Sequence, residues 1–118
     1  LVPLGESLLD SLLALFAKWC SNCQEDMPKL QAGIDTTPGV LFVPVESYEA
    51  TTKDKVQAFV TRYNIKAKPY YGLAGTDFQK LGGTGYPTAL LLSSEGGLVD
   101  RSTGLPPLEK WKGLLTFQ

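Results

Sequence analysis

The two cysteines of this chain stand three positions apart, in Trp19-Cys20-Ser21-Asn22-Cys23, and the chain has no histidine. Two cysteines alone cannot close a tetrahedral zinc or copper site, so no metal is expected. A Cys–His catalytic dyad needs a histidine. A disulfide-scaffolded mini-domain uses more cysteines at wider spacing. What remains for such a pair is thiol–disulfide exchange, a structural pair, or half of a metal site.

Exchange requires an attacking thiolate and a second thiol near enough to resolve the mixed disulfide. Two intervening residues at the start of a helix meet both needs. Cys20 then sits at the helix N-terminus, where free N–H groups and the dipole favour its thiolate, and Cys23 follows one turn later. The expected roles are Cys20 as nucleophile and Cys23 as the more buried resolver. Such a disulfide carries two electrons by itself, so no cofactor is called for.

The flanking pattern places the pair. Leu12 to Ala17 is a short apolar run, and Leu8, Leu12 and Leu15 fall at helical spacing. A buried central strand also reads as a continuous apolar stretch, and the run is short. From Cys20 onward Met27, Leu30 and Ile34 mark a helix. Glu25 and Asp26 are read in its first turns, Pro28 is expected to kink it, and Gly33 with Pro38-Gly39 to end it. Val40 to Val45 reads as a second strand, in which Pro44 suits an end or an edge. Thr51 and Thr52 precede a helix over about 53–63 with Val56, Phe59, Val60 and Tyr63 on its apolar stripe.

Residues 64–85 are rich in loop signals, with a short helical turn near Asp77–Leu81. Thr88 to Leu92 reads as a buried strand. Ser94-Glu95-Gly96-Gly97 is a hairpin turn, and Leu98 to Ser102 a return strand. Pro106-Pro107 opens a last helix with Leu108, Trp111 and Leu115 on one face. The order strand, helix, strand, helix, hairpin, helix predicts an α/β fold with a central mixed β-sheet flanked by helices. The 118 residues suit one domain, 1–118.

Lys and Arg number 11 against 12 Asp and Glu, so the net charge is −1 and gives no reason to expect nucleic acid as a partner. No run reaches the roughly 18–20 apolar residues of a membrane span. The start shows no basic region and no small-residue cleavage site, so targeting sequence does not fix a compartment.

Leu15-Phe16-Ala17-Lys18-Trp19-Cys20-Ser21-Asn22-Cys23-Gln24-Glu25-Asp26-Met27-Pro28 resembles the active-site segment of thioredoxin-like proteins of the TlpA/ResA/DsbE type, which are extracytoplasmic bacterial reductases. Gly85-Tyr86-Pro87-Thr88-Ala89-Leu90-Leu91-Leu92, followed by Glu95-Gly96-Gly97 and Gly104, resembles that family's cis-proline strand, hairpin and closing helix. The resemblance covers most of residues 12–117. It implies a thioredoxin fold, Cys20 as an exposed nucleophile, Cys23 as resolver and Pro87 as the cis-proline facing the disulfide. It implies that the Tyr86 backbone pairs with an extended substrate segment. Asp26 falls where some members place an acid near the second cysteine, able to take its proton. The alternative is a solvated acid, and Glu25 is the competing candidate. Trp19 is read in part as an exposed platform for substrate and in part as packing on the helix and covering the core.

Two departures bear on the branch. Cytoplasmic thioredoxins carry a buried Asp six residues before the first cysteine, where this chain has Ala14. Ser21-Asn22 is neither the Gly-Pro of thioredoxins nor the Pro-His of strong oxidants. Lys18 adds positive potential near Cys20 or is simply solvated. Tyr70 and Tyr71 border a substrate groove or, in the favoured reading, pack against core and loop.

The reading is a thiol–disulfide oxidoreductase of the protein-disulfide reductase kind, acting on extracytoplasmic protein substrates such as an apocytochrome thiol pair. By resemblance it lies in the periplasm or faces outward on a membrane anchor, and is recharged by a membrane thiol–disulfide electron donor. A monomer is the default. The alternatives are a disulfide oxidant or isomerase, and a non-catalytic binding module on the same scaffold.

Overall fold

The computed structural model describes residues 9–37, 39–47, 52–73 and 75–114. Leu8, Pro38, Thr51 and Leu115 therefore lie outside the described residues. The elements are β1 (Asp10–Phe16), α1 (Ser21–Asp35), β2 (Val40–Glu46), α2 (Lys53–Arg62), α3 (Gly75–Lys80), β3 (Thr88–Leu92), β4 (Leu98–Thr103) and α4 (Leu108–Lys112). They build a four-stranded sheet in the order β2-β1-β3-β4. β1 runs parallel to β2 and antiparallel to β3, and β3 pairs antiparallel with β4, so the sheet is mixed.

The ambiguous apolar run is thus a strand, and it is flanked on both sides. A strand in that position packs on both faces, which is why it lacks polar alternation. Leu12, Ala14 and Phe16 belong to a cluster with Met27, Leu30, Phe59 and Trp111. Leu15 belongs to a second cluster with Phe78 and Leu90. Phe16 stacks on Phe59 at 4.9 Å between ring centroids, tying the end of β1 to α2.

Pro44 lies within β2, an edge strand. Tyr70 donates its N–H to the Pro44 carbonyl at 2.9 Å, and its own carbonyl accepts from Glu46 N–H at 2.9 Å. In a strand the N–H and C=O of one residue point the same way. The donor that Pro44 lacks would therefore have faced outward, and the ladder to β1 loses nothing.

α1 departs from the sequence reading in two respects. Its first turn contains no acidic residue, so Glu25 and Asp26 sit deeper than expected, and the cap comes from Cys20 instead. The helix also runs on through Pro28 and Gly33 to Asp35. Gly33 does not end it; a side chain there would collide with Leu108 of α4, so this glycine allows two helices to touch. α2 is capped by the Thr52 hydroxyl, which accepts from Lys55 N–H at 3.3 Å.

α4 is tied to β4 by Trp111, 2% exposed, whose indole N–H donates to Asp100 at 2.9 Å. The Arg101 backbone N–H and then the Trp111 indole hold the Asp100 carboxyl below the usual range. A depressed carboxyl stabilises the fold above its unfolded value and ceases to do so as pH falls below about 4. Asp100→Asn is expected to lower the melting temperature at neutral pH and to flatten its decline on acidification. Thermal unfolding across the acid range checks this.

Candidate active site

The site forms where β1 and α1 meet. β1 ends at Phe16, a short turn covers Ala17 to Trp19, and the Cys20 N–H donates to the Ala17 carbonyl at 3.1 Å. Cys20 is the N-cap of α1, with an extended backbone. Its sulfur accepts the Cys23 N–H at 3.4 Å, so the thiol does the work usually given to a Ser or Asp cap. An anion at that position meets both the helix dipole and an open N–H group.

Both cysteines are free thiols. Cys23 is fully buried, as the resolver is expected to be. Cys20 is 8% exposed, so it is not the freely exposed group that the resemblance implies. Its thiol donates to the Tyr86 carbonyl at 3.5 Å. That contact and the adjoining turn cover it on two sides.

Burial pushes the Cys23 thiol far above the usual cysteine range. A hydrogen bond from the Ala17 backbone works against this, while the Cys20 thiol and the Asp26 charge add to it. Asp26 is half-buried and near enough to act on Cys23 through its charge. Glu25 instead pairs with Lys29 at 3.7 Å in solvent. Of the two candidate acids, Asp26 is the one beside the thiol pair.

The Tyr86–Pro87 peptide bond is cis. Pro87 leads into β3, which runs beside β1, so the loop before it is brought to the thiols. Tyr86 is held from the other side by its hydroxyl, which donates to the Ser47 carbonyl at 2.9 Å. Its ring stacks on Phe78 of α3 at 4.5 Å, and Trp19 meets it edge-on at 5.9 Å. Trp19 is 57% exposed, so much of its ring faces solvent while one edge packs on Tyr86. Cys20, Trp19, Asn22, Phe78, Gly83 and Tyr86 line one groove of about 840 Å³.

Phe78 and Gly83 were not legible as site residues. Gly83 sits against the Phe78 ring, where any side chain would collide. The Gly82-Gly83 pair is the one signal in the sequence, and it reads as an ordinary loop. Lys18 is not simply solvated. Its ammonium lies 3.6 Å from the buried carboxylate of Glu46. Tyr70 and Tyr71 are each 48% exposed and line a different pocket with Lys53 and Lys68, away from Cys20. They neither border the groove nor pack in the core, because Tyr70 is drawn outward along the β2 edge by its backbone bridge.

No protein-family model matches the sequence, and no curated protein matches it. Solved structures do match. DsbF of Mycobacterium tuberculosis shares 26% identity, with 92% of this chain and 81% of that chain covered and a TM-score of 0.72. The fold is that of the thioredoxin-like thiol–disulfide oxidoreductases. A secreted disulfide oxidoreductase of M. tuberculosis homologous to E. coli DsbE shares 21% identity over 92% of this chain and 83% of that one, at a TM-score of 0.67. A thiol–disulfide isomerase from Corynebacterium glutamicum shares 17% over 100% and 88%, at 0.78. The thioredoxin-like fold and the mixed sheet expected from the sequence are thereby supported. Among the described residues no helix is long and apolar enough to cross a membrane, and no cluster of potential metal ligands occurs.

The burial of Cys23 has two measurable consequences. Iodoacetamide at neutral pH is expected to label Cys20 and spare Cys23 in the folded dithiol, as mass spectrometry of digests reads directly. A thiol raised above its unfolded value costs stability once pH exceeds the ordinary cysteine value, about 8.5. The dithiol protein is therefore expected to lose stability above that pH, and Cys23→Ala to remove most of that loss in alkaline denaturant titrations.

Proposed function

We propose that this chain is a protein-disulfide reductase acting on extracytoplasmic substrates, with Cys20 and Cys23 as its redox pair. The observation that carries the reading is the capping sulfur. Cys20 opens onto a groove at a helix N-terminus, and Cys23 lies directly beneath it.

The Cys20 thiolate attacks one sulfur of a substrate disulfide, forming a mixed disulfide and releasing the other substrate sulfur as a thiolate, which takes up a proton. The Cys23 thiol gives up its proton, attacks the Cys20 sulfur and releases the second substrate thiolate. The substrate gains two electrons and the enzyme ends as the Cys20–Cys23 disulfide. A membrane thiol donor then restores the dithiol. Asp26 accepts the Cys23 proton during resolution. Trp19 and the Tyr86 backbone hold the substrate segment, and Pro87 keeps that loop facing the sulfurs. Residues 1–118 act as one domain and as a monomer.

Three features favour this place and a polypeptide substrate. Ala14 stands where cytoplasmic thioredoxins have a buried acid. The groove residues Trp19, Asn22, Phe78 and Tyr86 are uncharged and suit a polypeptide segment. A structural relative is a secreted disulfide oxidoreductase. The second reading, a disulfide oxidant or isomerase, draws on the isomerase among the structural relatives.

The reduction potential of the Cys20–Cys23 couple separates the two. A value near that of thioredoxin, about −270 mV, is expected; one near −120 mV would assign disulfide donation. For the proton transfer, Asp26→Asn is expected to slow decay of the mixed disulfide by up to about a hundredfold, the usual scale of a general base. Glu25→Gln should leave it unchanged, as stopped-flow thiol release would show.

A further inference from the structure

The turn that presents Cys20 has its polar groups held from two sides, the end of β2 and the start of α1. The Phe16 carbonyl accepts from Ser47 N–H at 2.8 Å, and the Ala17 carbonyl from Cys20 N–H at 3.1 Å. The Lys18 carbonyl accepts from the Gln24 side chain at 3.1 Å, and the Lys18 N–H donates to Glu46 at 3.0 Å. Glu46 is the one charged acceptor in this set, and it is 1% exposed.

A buried carboxylate is costly unless hydrogen bonds and a counter-charge compensate it. Here the same oxygen takes the Lys18 N–H and faces the Lys18 ammonium. Glu46 closes β2 in register with Phe16, the last residue of β1, so the sheet itself delivers the carboxylate to the turn. None of this is required to close the strand pair. Its effect falls on the peptide joining β1 to the capping cysteine.

We propose that the buried carboxylate of Glu46 is a positioning residue for the thiol pair, fixing the Lys18 peptide and through it the turn that sets the Cys20 sulfur at the cap of α1. The proposal rests on the redox reading above. The Cys23 N–H at that cap stabilises the Cys20 thiolate of the reduced form, so loosening the turn weakens the reduced form relative to the disulfide. The Lys18 ammonium, if released, would act the opposite way, because a nearby cation stabilises the thiolate of the reduced form. The sign of the effect therefore tells positioning from simple charge.

The test is the equilibrium constant of the Cys20–Cys23 disulfide against glutathione, measured for the whole chain with Glu46→Ala, Glu46→Gln and Gln24→Ala. Glu46→Ala is expected to favour the disulfide about tenfold, or about 30 mV for a two-electron couple. Glu46→Gln keeps an oxygen for the Lys18 N–H but loses the charge assistance, so about threefold in the same direction is expected. Gln24→Ala, which frees the Lys18 carbonyl from the half-buried surface, is expected to give a similar threefold shift and keeps the test open if Glu46→Ala does not fold. Constants within a factor of about 1.5 of wild type in Glu46→Gln and Gln24→Ala, or a shift toward the dithiol, would overturn the proposal. A wild-type chain that forms no Cys20–Cys23 disulfide at all would instead sink the redox reading beneath it.

Discussion

The sulfur of Cys20 accepts the N–H of Cys23 at the first turn of α1, and the rest of the molecule is arranged so that this cap can form and be used. A cap side chain must stand at the helix axis with its own backbone still extended. β1 supplies that approach because it ends in the middle of the sheet, paired on both sides, with its last carbonyl held by Ser47. α1 supplies the partial positive charge, and its buried residues Met27 and Leu30 fix it to the sheet. A thiolate at the cap is then stabilised by the scaffold before any substrate arrives.

The two thiols of one pair are made unequal by their surroundings. Cys23 has no exposure, and desolvation keeps it protonated. Cys20 has a sliver of exposure, and its sulfur accepts the Cys23 N–H. This asymmetry is what ordered exchange needs: one sulfur attacks and the other waits until a mixed disulfide alters its neighbour. Tyr86 links this chemistry to the groove, since its carbonyl touches Cys20 while its ring sits between Trp19 and Phe78. Any group that moves the Tyr86 backbone also moves a partner of the Cys20 thiol.

The strands, the helices and the thiol pair were legible because their signals are local. Thr88–Leu92 reads as a strand from its own residues, and α2 from the spacing of Val56, Phe59 and Val60. What the sequence hid depends on contacts between distant segments. Glu46 follows an apolar run and reads as the solvated end of a strand; its partner Lys18 lies 28 positions away. Gly33 reads as a helix stop, and only the approach of Leu108 shows why it is inside one. Tyr70 gave no sign that its backbone would extend the β2 edge. The acids after Cys23 lie beyond the first turn, because α1 begins only at Ser21.

The division of labour between the two thiols is tested most directly by trapping. A peptide disulfide is mixed with the Cys23→Ser and Cys20→Ser variants, and the adducts are identified by mass spectrometry. The account requires a stable mixed disulfide at Cys20 in Cys23→Ser and little or none at Cys23 in Cys20→Ser. Equal trapping at both positions, or none at Cys20, would contradict it.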